Sequence, residues 1–274
     1  MTVRRVMRRL LPPAALDFVR RLTGKQTTFS RQLTSWDDAV ARSIGYDSDV
    51  ILSRVLGASR QVRDGVAAYE RDSVLFDRIE YSFPVVATLL RAALENNGHL
   101  TVIDFGGALG SSYRECRAFL GDRVQPLRWS VVEQAMFVEA GRREMQSDEL
   151  HFFETVQEAT QDRTVDVMLF SGVLQYLPNP YATIDQALRF VPKYVAIDRT
   201  IVSARPVDTL HVQRVPKTIY SASYPVWALS KERMLASLED RYELLSEHAS
   251  LQFPELAAIG AEFKGFTFRA KDAQ

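Results

Sequence analysis

The sequence predicts an α/β fold: a seven-stranded Rossmann-like sheet, mostly parallel with its last strand antiparallel, preceded by an N-terminal helical region. Three observations predict it. From residue 100 onward, short apolar stretches alternate with helix-like ones. The bend GGALG (106–110) follows the first apolar stretch directly. The last two strand candidates have no helix between them. Alternation implies right-handed βαβ crossovers and a parallel sheet covered on both faces. Two strands joined without a helix can pair antiparallel at a sheet edge.

Taken in order, the strand candidates are LTVIDF (100–105), RWSVVE (128–133), LHFF (150–153), VDVMLFS (165–171) and KYVAIDR (193–199). Helices are expected near 111–120, 134–146, 155–161 and 180–190. SKERMLASLED then reads as a helix, and YELLSEHASL and FKGFTFRA as the final strand pair. Residues 26–98 read as helical and lack strand alternation, and are expected to form a cap over the sheet. Ser35 is placed to cap a helix, with Asp38 three residues on. Pro84 is expected to start a new helix or kink an old one. Residues 1–25 form a basic arm in which Arg4, Arg5, Arg8, Arg9, Arg20, Arg21 and Lys25 face Asp17 alone, interleaved with leucines. Such an arm can lie peripherally on an anionic membrane. Pro12 and Pro13 interrupt its amphipathic face, and the plainer alternative is a solvated or partner-packed leader. The expected division is therefore 1–25, 26–98 and 99–274.

Composition narrows the function classes. The chain has 274 residues, 34 basic against 34 acidic, so no global field favours nucleic acid. The single cysteine, Cys116, excludes an internal disulfide, and the four scattered histidines offer no metal-ligand spacing. No apolar run reaches the roughly 18 residues of a membrane span. A cytoplasmic protein is expected, at most peripheral to the inner membrane surface.

The glycine bend carries most of the functional signal. Glycines at a strand-to-helix junction let the backbone turn tightly and approach a ligand outside the strand ends. Alone, such a bend is also a common structural turn. Asp104 precedes the glycines and can orient the loop or accept from an ammonium group. Glu133 ends the second strand, where an acid accepts the hydroxyls of a ribose. Glu154 follows the third strand, where an adenine amino group can be read. Acids at three successive strand ends describe an adenosine cleft.

VIDFGGALGSS resembles the first motif of class I S-adenosylmethionine-dependent methyltransferases, whose sheet has five β/α units followed by a strand pair. The resemblance implies S-adenosyl-L-methionine as cofactor. It implies that Asp104, Gly106, Gly107, Ala108 and Gly110 embrace the methionine part and that Glu133, with Gln134 beside it, holds the ribose. Ala108 stands where the usual motif has its middle glycine. SWDDAVARSIGYDSD, YERDSVLF, IDFGGALGSSY, LFSGVLQYLPNPY, IDRT and VPKTIYSASYPVW are together similar to a poorly characterised methyltransferase family. That family is associated with bacterial cell-surface polysaccharide biosynthesis. The resemblance implies a small-molecule or sugar acceptor.

Ser171, Gly172, Gln175 and Tyr176 follow the fourth strand, between the expected cofactor and acceptor. Tyr176 reads equally well as a core residue; for Gln175 a cap is the lesser alternative, since a polar loop residue has fewer packing duties. The long aperiodic stretch after the fifth strand suits a substrate lid, with Arg199, His211, Arg214, Lys217, Tyr220, Tyr224 and Trp227 as candidates. Its cations could hold a phosphate or carboxylate on the acceptor. The alternative is a β-hairpin packed over the sheet. Methyl transfer to a hydroxyl needs a proton acceptor; His211 is the first choice, with Asp198 or Asp208 as partner. His99, His151 and His248 sit at strand edges and read as structural. Two other functions remain open: a non-catalytic methyltransferase-like binding protein, and an NAD-type oxidoreductase, whose glycine register the bend does not match.

Overall fold

In the computed structural model, residues 27–43, 48–71, 73–161, 163–215 and 222–271 are described. The basic arm, Lys217 and Tyr220 lie outside them. Ahead of the main sheet come β1 (Thr28–Phe29), α1 (Trp36–Ala41), α2 (Ser48–Arg63), β2 (Tyr69–Arg71), β3 (Val74–Phe76) and α3 (Phe83–Glu95). Then follow β4 (Leu100–Phe105), α4 (Ser111–Leu120), β5 (Leu127–Val132), α5 (Ala135–Glu144), β6 (Leu150–Phe153), α6 (Val156–Thr160), β7 (Val167–Ser171) and α7 (Pro180–Leu188). The chain continues through β8 (Tyr194–Ser203), β9 (Thr209–Arg214), β10 (Ser223–Ser230), α8 (Lys231–Glu239), β11 (Tyr242–Ala249) and β12 (Ala261–Ala270).

The main sheet runs β6-β5-β4-β7-β8-β12-β11. All neighbours from β6 to β8 are parallel, and β12 is antiparallel to both β8 and β11. These seven strands have the expected Rossmann-like order with the last strand reversed, and β10, β9 and β1 extend the sheet past β8 to ten strands. Strand order switches direction beside β4: the chain moves outward through β5 and β6, then returns to β7 on the other side. Crevices at such a switch point, outside the carboxyl ends of the strands, are where open α/β sheets bind ligands.

Alternation within the strands feeds two cores. Val102, Val167, Leu169, Tyr194 and Ala196 pack on one face with residues of α2, α3, α4 and α5. Ile103, Met168, Phe170, Val195 and Ile197 pack on the other with α6, α7 and α8. Both faces are thus covered, which is why these strands read as continuous apolar runs. Among the described residues, no helix is long and apolar enough to cross a membrane.

Two segments depart from expectation. Residues 26–98 contain helices, with Ser35 Oγ accepting from Asp38 N at 3.2 Å and Pro84 in the first turn of α3. They also contain three strands: β2 and β3 form a hairpin, and β1 pairs with β9. Strands of two or three residues are too short to show alternation. The stretch after β8 contains the hairpin of β9 and β10 rather than a lid without regular structure. β10 meets β8 in parallel at Val202 and Ser203, beyond the last β7–β8 pair at Ser171–Asp198.

Candidate functional site

The bend after β4 is held by its own packing. Gly106 N donates to Val132 O at 2.9 Å, tying the turn to β5. Gly106 has φ +73°, and a Cβ there would overlap Val173 in the loop after β7. At Gly107 a Cβ would lie 2.5 Å from Asp104 Oδ2. Gly106 is therefore required by the close meeting of the β4 and β7 loops, and Gly107 by the Asp104 carboxyl packed beneath it, before any ligand is considered. Ala108 adopts φ +49°, the left-handed region in which an L-residue is strained.

Asp104 is fully buried beneath this bend. Its Oδ2 accepts from Trp129 Nε1 at 3.0 Å, whereas Oδ1 has no partner. Burial pushes the carboxyl up to about 7; the Trp129 N–H and the Arg199 charge oppose the shift. An unsatisfied buried oxygen at the floor of the bend is suited to a cationic or N–H group arriving from outside. Glu133 sits half-buried one residue past β5 and accepts from Gln134 N at 2.8 Å. Burial raises its carboxyl too, against the backbone N–H groups of Gln134 and Ala108. Gln134 and Glu154 are exposed, Glu154 directly after β6. Three acids thus stand at the carboxyl ends of the adjacent strands β4, β5 and β6.

Ser171 and Gly172 close the cleft at the end of β7. Ser171 Oγ accepts from Arg199 Nε at 3.0 Å and from Nη2 at 2.8 Å. Gly172 N donates to Asp198 O at 2.9 Å. Beside this lies a cavity of about 200 Å³. Its walls include Tyr81 and Phe83, Glu115 of α4, Asp198 and Arg199 of β8, and His248 to Leu251.

A local irregularity puts Asp198 and Arg199 there. Against β12, Ile197 pairs with Phe266 and Thr200 with Lys264, so Asp198 and Arg199 together oppose Gly265. Bulges of this kind re-aim side chains. Arg199 carries the strain, at φ +49°. On β11, His248 pairs with Gly265, and a Cβ on Gly265 would overlap the imidazole and sit 3.0 Å from Asp198 Oδ1. The missing side chain lets His248 reach across β12, bringing its Nε2 to 3.5 Å from Asp198 Oδ1. Ser250 Oγ donates to the same Oδ1 at 2.7 Å. Burial pushes the Asp198 carboxyl up, but His248, Arg199 and Ser250 outweigh it and hold it below the usual carboxylate value.

The other expected residues lie elsewhere. His211, expected as the general base, is buried in β9, with Nδ1 3.0 Å from Ser30 O and Nε2 3.1 Å from Thr209 Oγ1. It pairs with neither expected acid. Asp208 instead accepts from Tyr181 at 2.8 Å, from Ser230 N at 2.7 Å and from Arg233 at 2.6 Å. Gln175 is buried, donating to Arg199 O at 3.2 Å, and so braces the bulge. Tyr176 packs edge-on against Tyr224 and donates to Gln213 at 3.3 Å. Trp227 stacks on Trp36 and donates to Leu177 O, and Arg214 is exposed at the end of β9. His248, expected to be structural, lies in the cavity wall. With it, Tyr81, Glu115 and Ser250 were missed; the sequence signal was Gly265 inside an otherwise regular strand, a mark of close approach.

No family model and no curated protein matches the chain. Solved structures resemble it at low identity. The [4+2]-cyclase SpnF is 15% identical over 88% of this chain and 98% of its own, with a TM-score of 0.49. The N-terminal domain of EvdMO1, solved with S-adenosylhomocysteine and D-fucose, is 17% identical over 74% of this chain and 90% of its own, with a TM-score of 0.44. The Burkholderia thailandensis 1,6-didemethyltoxoflavin-N1-methyltransferase is 16% identical over 89% and 93%, with a TM-score of 0.42.

Proposed function

We propose that the protein is an S-adenosylmethionine-dependent methyltransferase acting on a small-molecule or sugar acceptor. One observation carries this: the glycine bend with its orphaned Asp104 oxygen, beside Glu133 and Glu154, lies at the switch point of a methyltransferase-ordered sheet. The residues present fit the cofactor. Asp104 and the 106–110 bend would hold its amino-acid part, Glu133 its ribose and Glu154 its adenine edge, with Gln134, Ser171 and Gly172 flanking. The bound cofactor would supply a methyl group already activated by a sulfonium. The chain's task is then to align an acceptor at near-attack distance and keep water out.

Segment 69–84 and α4 supply much of the wall of the adjoining cavity, which accords with a cap over the acceptor. An acceptor from cell-surface polysaccharide assembly rests on the sequence resemblance alone. The cavity's cations do not favour a phosphate: Glu80, Glu115 and Asp198 outnumber Arg71 and Arg199. Glu115 is engaged by Tyr69 at 2.9 Å and Ser82 N at 2.7 Å.

Calorimetric titration with S-adenosylhomocysteine and with NAD tests the reading. Saturable binding of the first and none of the second is expected. The reverse would support the oxidoreductase alternative and remove this one.

A further inference from the structure

The chemistry left over in the cavity is a carboxylate–imidazole pair. Glu115 is committed to Tyr69 and Ser82, and Arg199 to Ser171. Arg71 and Glu80 lie 3.9 Å apart. Asp198 and His248 face each other across Gly265; both imidazole nitrogens are buried without a hydrogen-bond partner, Nε2 standing 3.5 Å from Asp198 Oδ1. Four features converge to make this contact: the bulge at Asp198–Arg199, the strained Arg199 backbone, the absent Cβ at Gly265 and the Ser250 hydroxyl on Asp198. Local strain kept in place by several independent supports is a mark of a working site.

We propose that the Asp198–His248 pair is the proton acceptor for a hydroxyl bound in this cavity, so that the enzyme is an O-methyltransferase for an uncharged, hydroxylated small molecule. The proposal rests on the methyltransferase reading above. With Nε2–H turned toward Asp198, the imidazole lone pair lies on Nδ1. The acceptor's O–H bond breaks and its proton passes to Nδ1 as the oxygen–methyl bond forms. The methyl–sulfur bond of the donor breaks, and its electron pair stays on sulfur. Asp198 stabilises the resulting imidazolium. Charged groups lining the same cavity are Arg199 on β8, Glu115 on α4, and Arg71 and Glu80 on the capping segment; Lys264 and Glu247, next along β12 and β11, pair with each other, and Glu247 also with Lys231. Tyr81 and Phe83, with rings 5.8 Å apart, give the cavity an apolar wall on which a sugar ring can rest. An amine acceptor brings its own lone pair and needs no such pair.

The test uses the full chain, S-adenosylhomocysteine and a panel of methyl glycosides of common hexoses and pentoses. Imidazole nitrogen resonances are resolvable, since the chain has four histidines. In the S-adenosylhomocysteine complex, His248 is expected as the Nε2–H tautomer, shifted by Asp198→Asn and by a bound glycoside. Tritiated methyl transfer to at least one glycoside is expected to fall by about 100-fold or more in His248→Gln. The single-proton rise of rate with pH should vanish in that variant, while S-adenosylhomocysteine affinity stays within about twofold. Asp198→Asn should lower the rate and displace that rise. An imidazole indifferent to Asp198→Asn overturns the proposal. So does transfer in His248→Gln within threefold of wild type with the same pH limb, or no transfer to any glycoside by a protein that binds S-adenosylhomocysteine. Failure of the wild type to bind S-adenosylhomocysteine overturns the underlying reading instead.

Discussion

The two halves of the site are built differently. The proposed cofactor side comes from three successive strand ends: Asp104 to Gly110 at β4, then Glu133 past β5 and Glu154 past β6. The proposed acceptor side is gathered from Tyr81, Glu115, Asp198, Arg199 and His248, which line one cavity. A local site is fixed by strand order alone. A gathered one depends on side chains crossing strands and on backbone irregularities, so it should fail in more ways and more independently of ligand affinity.

The largest expected effect concerns the buried Asp104. Its folded-state pKa of about 7 exceeds the unfolded carboxylate value, so the folded chain holds the extra proton between them. Stability without cofactor should therefore fall as pH rises from about 4 to about 7, by up to about 4 kcal/mol from this group. Glu133 shifts in the same direction. Urea unfolding at several pH values should show the decline, and Asp104→Asn should reduce it, leaving the part due to Glu133. An unchanged slope in the variant would mean that the carboxyl is solvated.

Gly265→Ala comes next. A methyl there must displace His248, at about 1–3 kcal/mol of stability, and should separate the pair while sparing S-adenosylhomocysteine affinity. Thermal unfolding and calorimetry on one sample distinguish the two effects. Equal damage to both would erase the contrast between the halves. Glu133→Ala should do the converse: roughly 10- to 100-fold weaker S-adenosylhomocysteine binding, through loss of hydrogen bonds to a charged acceptor, with little change in folding. Calorimetry reads it directly.

Ala108→Gly has the smallest effect. Relief of a left-handed alanine should raise stability by about 1 kcal/mol at most, a few degrees in melting temperature. Gly106→Arg is a poor probe by comparison. Its Cβ would overlap Val173, so lost binding would be confounded with a disturbed loop.

The same contrast explains what was legible in the sequence. The order of β4 to β8 and the closing strand pair follow from short apolar runs and the helices between them, and the bend is marked by its glycines. The hairpin of β2 with β3 was not legible, and that of β9 with β10 stood only as the alternative to a lid. The first is too short for a period, and the second is interrupted by prolines and charges. His211 was attractive because a loop histidine suggests chemistry, but β9 pairing buries it against Ser30. His248 was passed over because nothing in its own neighbourhood marks it. Its partner lies 50 residues away, and only the glycine opposite records their contact.

The central claim is that adenosine lies across the tips of β4, β5 and β6. A crystal of the full chain grown with S-adenosylhomocysteine measures this directly. The account predicts density with the ribose hydroxyls on Glu133, the amino-acid tail over the 106–110 bend, and the sulfur opening toward the cavity of Asp198 and His248. Clear density at any other place, with those strand tips left bare, would contradict it.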